Sequence, residues 1–370
     1  MDTAPPPSPK FQRQFPCSNC GADLVFAPGT NCLKCPYCGA ENRLPEASPD
    51  AVQEEDFRAT LDHLAGEAET TDALTVKCVA CGAESQFGSD VVASKCPFCG
   101  AAIVATAESK KRIKPKAVLP FHITREQAVN AFRQWTGSLW FAPSELSKAA
   151  EQSKMDGVYI PAWTYDSDTD SRYSGQRGDD YWDTETYTTT DANGNAVIRT
   201  RQVRRTRWTW VSGEVTNPFD DILVLASRSL PRKFADALEP WDLKNLVPYR
   251  DEYLSGFAAQ SYQVDLPQGF DVAKGIMEGY IRQSVCRDIG GDHQRIDSLQ
   301  TRYDNITFKH TLLPVWISAY RYRERVFQFL VNARTGEVQG ERPYSVWKIV
   351  LLIFAILLIV VGGILIAHSR

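Results

Sequence analysis

The chain has no surplus of positive charge: 41 Lys and Arg stand against 45 Asp and Glu, a formal net charge of -4. Affinity for nucleic acid rests on clustered cations facing phosphate, so the chain as a whole is not a basic nucleic-acid binder. It has no apolar leader: MDTAPPPSPK is polar and Pro-rich, and no secretory signal peptide is expected. It lacks G-x4-G-K-[ST], which excludes ATP hydrolysis of the P-loop type. G-x-S-x-G, H-E-x-x-H and G-x-G-x-x-G are missing too. The five histidines (His63, His122, His293, His310, His368) show no ligand spacing. No residue set offers a foothold for catalysis, so a non-enzymatic role is expected, and no small-molecule substrate is evident.

What is plentiful is cysteine, ten residues in all, and eight of them repeat one pattern. Cys17-x2-Cys20 is followed after fourteen residues by Cys35-x2-Cys38, and Cys78-x2-Cys81 after fourteen by Cys96-x2-Cys99. The flanks match as well: CSNCGA and KCPYCGA, then CVACGA and KCPFCGA. The two sets are offset by 61 residues, as in a duplicated unit. In Cys-x2-Cys a tight turn brings two sulfurs to one ion, and the following glycine relieves the backbone where it bends back. Two such knuckles make a closed four-thiolate site with no position left for water or substrate, so two structural zinc ions are expected. Rubredoxin-like iron uses similar knuckles and is the competing metal. Ribbons of this size cannot fold on apolar burial alone, and metal binding supplies the folding free energy. Pairs of this kind without a secretory signal indicate a reducing compartment, which disfavours disulfides. Cys32 is an extra thiol beside Cys35 that could exchange as a ligand, although the matched loops favour Cys35; Cys286 reads as a simple thiol on a helix.

The C-terminus carries the second strong signal. Ile349 to Ala367 is nineteen residues without a polar side chain. As a helix it would span about 28 Å, the thickness of a bilayer core. Trp347 and Lys348 stand at its front edge, where an aromatic ring and a snorkelling amine belong. Arg342 and Lys348 favour the long N-terminal part on the cytoplasmic side of the cytoplasmic membrane, as a single-pass tail anchor.

The segments between read as follows. Residues 1–10 are disordered, 11–45 hold ribbon one, 46–73 are an acidic linker with a short helix around Ala51–Leu64, and 74–105 hold ribbon two. Residues 106–345 form an α+β domain with an antiparallel sheet, and 346–370 the anchor. A basic hinge, Lys110–Lys116, opens that domain; it reads as a solvated linker or as a patch for an acidic partner or anionic lipid. Thr124-Arg125-Glu126-Gln127 is a capping box that starts an amphipathic helix through Ala128, Val129, Phe132 and Trp135. A second helix is expected along Val272, Ile276, Met277, Tyr280, Ile281 and Val285. Trp163 to Trp210 reads as a hairpin turning at Asn193-Gly194, with Asp183 facing Arg204 and Asp180 facing Arg207. The Arg199–Arg207 arm, with Trp208 and Trp210, looks like a nucleic-acid strip, but the acidic arm opposite favours a structural role. Asp166-x-Asp168-x-Asp170 reads as a charged strand or loop, since a calcium loop would need Gly and Glu at offsets missing here. Ile160-Pro161-Ala162-Trp163 and Leu313-Pro314-Val315-Trp316 form a faint internal echo, consistent with a pseudo-duplicated domain.

The two ribbons, YIPAWTYD, LPVWISAYRY, VNARTGEV and the terminal apolar helix together resemble a group of bacterial membrane proteins with transcription-factor-IIB-type zinc ribbons. Such proteins often carry the label primosomal replication factor Y, a superfamily II helicase. The likeness to that helicase is confined to the cysteine knuckles, and its motor motifs are missing here. The resemblance implies a membrane-bound recruiter linked to phage-shock-protein-A-like or SPFH-domain proteins. The expectation is therefore a non-catalytic zinc-ribbon adaptor that brings a cytosolic protein to the membrane. The alternative is a membrane-tethered nucleic-acid-binding protein of replication, whose binding would fall steeply with salt.

Overall fold

A computed structural model describes residues 15–45, 52–64, 70–79, 82–86, 93–96, 98, 101–104, 108–140, 155–190, 193–322, 325–341 and 345–368. Ribbon one is a three-stranded antiparallel sheet of β1 (Val25–Phe26), β2 (Cys32–Lys34) and β3 (Glu41–Arg43). The acidic segment carries β4 (Glu55–Asp56) and helix α1 (Phe57–Leu64), within the span expected to hold a helix. Around the second cysteine set lie β5 (Thr70–Lys77), β6 (Glu84–Gln86), β7 (Ala93–Lys95) and β8 (Ala102–Val104). Next come β9 (Glu108–Ile113), β10 (Ala117–Val118) and α2 (Arg125–Ser138). Two long strands follow, β11 (Asp156–Thr190) and β12 (Ala196–Leu225), then the short helix α3 (Arg232–Asp236), β13 (Val247–Pro248) and β14 (Ala258–Gln260). The chain ends through α4 (Leu266–Ile289), β15 (His293–Tyr322), β16 (Arg325–Asn332), β17 (Val338–Gly340) and α5 (Val346–His368).

Twelve strands share one sheet whose main path runs β13-β10-β15-β11-β14-β6-β5-β9. At its centre the two Pro-x-Trp stretches meet: Ile160 pairs with Leu313 and Tyr159 with Pro314, antiparallel. The aromatic and β-branched content that marked these stretches as strand is what fills the core there. Trp163, Tyr165 and Phe308 are fully buried beside Phe270 of α4. Trp163 Nε1 donates to the Val264 carbonyl at 2.9 Å, and Tyr165 donates its hydroxyl proton to the Leu266 carbonyl at 2.7 Å. Each polar tip of a buried ring thus has an acceptor.

Helix α2 starts where the capping box places it. Thr124 Oγ1 accepts from the Gln127 N–H, and the Gln127 side chain accepts from the Thr124 N–H. Helix α4 turns further than its sequence stripe implies. Its buried line is Phe270, Ala273, Met277, Ile281, Val285 and Ile289, while Ile276 and Tyr280 are exposed. Residues 276 and 280 sit one position off the 3.6-residue line that faces the sheet.

Two further expectations need correction. The basic stretch is not a hinge. Lys110, Lys111 and Arg112 lie in β9, paired with Ala73, Asp72 and Thr71 of β5, and Lys116 Nζ sits 2.8 Å from Glu55 Oε1. Backbone pairing with β5 absorbs what looked like a free connector. The long hairpin also has a different register: Asp183 lies opposite Val203 and Asp180 opposite Thr206, because Thr190 pairs with Ala196 and leaves an odd connection. One residue of shift moves every partner. The charges still meet, now through Arg204 with Asp180, Arg205 with Asp183 at 3.1 Å and Arg201 with Glu185 at 2.8 Å.

The hairpin outruns the sheet. β15 accompanies β11 as far as Gly178 opposite His293, whereas β11 and β12 pair on to Thr190. The remaining twelve residues (179–190) project as a two-stranded ribbon of about 40 Å.

Candidate metal centre

The first cysteine set converges. Cys17, Cys20, Cys35 and Cys38 hold their sulfurs within 4.8 Å of one another. The Sγ–Sγ distance is 3.5 Å between Cys17 and Cys38, and 3.5 Å between Cys20 and Cys35. A tetrahedral ion with metal–sulfur bonds of about 2.3 Å requires sulfurs about 3.8 Å apart, so the cage needs only a slight expansion. None of the four is in a disulfide. Cys17 and Cys35 are buried and Cys20 and Cys38 exposed, so each knuckle roots one sulfur in the protein and offers the other at the surface.

The backbone explains the convergence. Cys17 N–H donates to the Ala22 carbonyl at 2.7 Å and Gly21 N–H to the Cys17 carbonyl at 2.8 Å. Cys35 with Ala40, and Gly39 with Cys35, repeat the pattern at 2.8 and 3.1 Å. Gly21 and Gly39 adopt φ of 75° and 76°, a left-handed conformation that a side chain would strain. The free N–H groups inside the turn then point at sulfur. The Cys38 N–H, 3.5 Å from Cys35 Sγ, and after it the Tyr37 N–H lower the Cys35 thiol to about 6. The Ala40 N–H favours the Cys38 thiolate, but the Cys17 and Cys35 sulfurs outweigh it and push Cys38 up to about 12. Four thiols this close cannot all ionise unless a cation joins them, which is the property of a metal cage.

The second set is described in part. Cys78 and Cys96 are buried, each 2 % exposed, and Cys81 and Cys99 lie outside the described residues. The Cys78 N–H donates to Ala83 at 2.8 Å, Gly82 returns to Cys78 at 2.8 Å, and Gly82 has φ of 73°. Cys96 donates to Ala101 at 2.8 Å. The Cys78 turn thus repeats those of the first set, and the Cys96 N–H makes the same opening bond. Cys32 is buried and 3.1 Å from Thr30 Oγ1, apart from the four-sulfur group, and Cys286 lies on α4 as expected.

Both cysteine sets are anchored to the larger sheet rather than held away from it. Phe26 N–H donates to the Ser255 carbonyl at 3.0 Å, Gly29 N–H to Phe121 at 3.0 Å, and Cys17, Leu24, Phe26, Leu33 and Cys35 share one core with Phe121, Tyr253 and Trp316. β5 and β6 enter the main sheet through β14. The knuckle tips stay outside: Tyr37 is 83 % exposed and Val79 is fully exposed.

Sequence reasoning missed a second polar group. Glu54, Asp166 and Asp220 lie together; the Lys309 ammonium is 3.1 Å from Glu54 and 2.7 Å from the adjacent Asp221. Burial, and then the Glu54 carboxylate, raise Asp166 to about 7, against the pull of the Asp221 N–H. Positions 54, 166, 221 and 309 have no common spacing, and only the fold collects them. The Asp166–Asp168–Asp170 run lies on β11, each carboxylate occupied by a neighbouring strand or loop (Thr307, Asn305 and Arg302), as expected of a charged strand.

Among the described residues one helix is long and apolar enough to cross a membrane: Trp347–Ile364 in α5, with mean hydropathy 2.7 and none of it buried. No family model matches the chain, and no solved structure matches it. It is similar to the uncharacterized protein YdjG of Bacillus subtilis (strain 168), at 26 % identity over 338 residues that cover 90 % of this chain and 91 % of the relative.

Proposed function

We propose that the protein is a membrane-anchored, non-catalytic adaptor whose two zinc ribbons present their knuckle tips to a cytosolic protein partner. The observation that carries this reading is the exposed Tyr37 at the tip of a four-sulfur cage. An aromatic ring held in water by a rigid turn gains by burial against a partner, and Tyr is enriched at interface centres. Zinc is the favoured ion, because a closed tetrahedral thiolate set suits it and leaves no open position for chemistry. The apolar helix supplies the anchor, with the N-terminal part in the cytoplasm. The partner class implied by resemblance is a phage-shock-protein-A-like or SPFH-domain protein. The nucleic-acid alternative is weakened by the hairpin: Arg201, Arg204 and Arg205 are spent on acidic neighbours, and Arg207 lies over the Tyr181 ring.

The test is photo-crosslinking in cells from p-benzoylphenylalanine placed at Tyr37 or Val79 of the full chain. The expected result is a discrete protein adduct in the membrane fraction that disappears with Cys35→Ser. Crosslinks to nucleic acid, or no adduct from either tip, would overturn the reading. Purified full-length protein should carry about two zinc per chain.

A further inference from the structure

A cavity lies behind the last residues of β12, and its Leu230, Ala235 and Trp241 share a core with Cys78 and Cys96. The chain leaves Leu225, turns back through α3, and packs against the first turns of α4, enclosing about 600 Å³. That is within the range of small-molecule sites. The floor is apolar: Leu223, Leu225, Leu230, Val264, Val272 and Ile276. Ile276 is one of the two residues that α4 turns away from the sheet, and this cavity is where it goes. A wall of this kind takes hydrocarbon.

The walls carry two cations, Arg228 and Arg232, two carboxylates, Asp236 and Glu239, and the Trp241 indole. Trp241 is 9 % exposed, and its buried Nε1–H has no acceptor among the described residues. Buried indole N–H groups are ordinarily satisfied, so this one points to an acceptor that a ligand would bring. Among the described residues Arg228 meets no carboxylate; its guanidinium donates to the neutral Gln268 Oε1 at 2.9 Å. Arg232 is held by Asp236 at 3.5 Å, which also occupies that carboxylate. Burial, and then Asp236, raise the Glu239 carboxyl above its ordinary value.

We propose that this cavity binds a single-chain amphiphile, with its hydrocarbon on the Leu223–Ile276 floor and an anionic oxygen headgroup taken by Arg228 and the Trp241 indole. The shared chemistry is an acceptor-rich anion on an alkyl chain, from a free fatty acid or from the phosphate of a lipid. None of the lining residues is a cysteine, and the proposal holds whether or not the ribbons are adaptors.

The experiment uses the full chain in phosphatidylcholine nanodiscs and a diazirine-bearing fatty acid as the photo-probe. After irradiation, labelled peptides are mapped by mass spectrometry. Label on residues 223–241 and 264–276 is expected, with label on the tail helix as an internal control for access from the bilayer. Ile276→Trp, at an exposed position that tolerates bulk, should remove the cavity label and leave the tail label; Ala235→Trp should do the same from the opposite wall. Arg228→Gln should weaken competition by dodecanoate about tenfold and leave competition by dodecanol unchanged. Displacement by dodecanoate alone identifies a carboxylate, and displacement by dodecyl phosphate alone identifies a lipid phosphate; displacement by both supports the shared chemistry. Label confined to the tail, cavity label indifferent to Ile276→Trp, or equal displacement by dodecyltrimethylammonium would overturn the proposal.

Discussion

Trp163 and Trp210 are the same side chain in opposite circumstances. Trp163 is fully buried and its indole proton is accepted, whereas Trp210 is 73 % exposed on the projecting hairpin. Trp163→Ala should cost about 3–5 kcal/mol, through lost contacts and the void left behind. Trp210→Ala should stay within about 0.5 kcal/mol, and urea unfolding of both variants checks the contrast. Asp166 offers a pH-dependent case. Its carboxyl is raised from 3.8 to about 7, so the folded chain holds this proton more tightly than the unfolded chain does. Its stability contribution is therefore full below about pH 4 and lost as pH rises through about 7. Glu54 is lowered and acts below this window. Asp166→Asn should flatten the decline between pH 5 and 8, by about 1 kcal/mol once partial exposure is discounted. An unchanged slope in unfolding experiments at the two pH values would count against a raised Asp166 carboxyl.

Elements decide more than residues in two places. Among the described residues nothing buries α5 along Trp347–Ile364, so an apolar surrounding would stabilise it. Leu352→Arg together with Leu357→Arg should add about 5–7 kcal/mol to insertion and move the chain out of the carbonate-resistant membrane fraction. Retention of the double variant would mean that α5 is not the anchor. The long hairpin makes the other case. Its strand content was legible from Tyr, Trp and Thr, and its charge pairing from acidic and basic arms. Its register was not, because pairing depends on how many residues the connection keeps. Asn193-Gly194 identifies a turn, and Gly194 does take φ of 86°, but the ladder closes at Thr190 and Ala196.

At the scale of the molecule, the ribbons and the sheet are one structure. Ribbon one rests on residues 253–257 and Trp316, and β5 and β6 extend the central sheet. Loss of one thiolate should therefore be felt beyond the ribbon. Cys35→Ser should release about one metal ion and lower hydrogen-exchange protection both in residues 15–45 and at 253–257, while β11 and β15 near Trp163 stay protected. Loss confined to the ribbon would show that the docking seen between Phe26 and Ser255 adds little. Reading the ribbons from spacing alone makes them independent modules, because zinc-fed folding is local. The apolar residues between the cysteines, Leu24, Phe26 and Leu33, are what commit the first ribbon to the larger core.

The cysteine spacing, the knuckle glycines, the capping box at Thr124 and the apolar tail were readable directly, since each rests on contacts within a few residues or on composition along one segment. The carboxylate group around Lys309, the cavity with its buried indole and the docking of the ribbons were not. They join positions more than a hundred residues apart, or depend on a strand register and a helix rotation, and those are fixed only when the whole core closes at once.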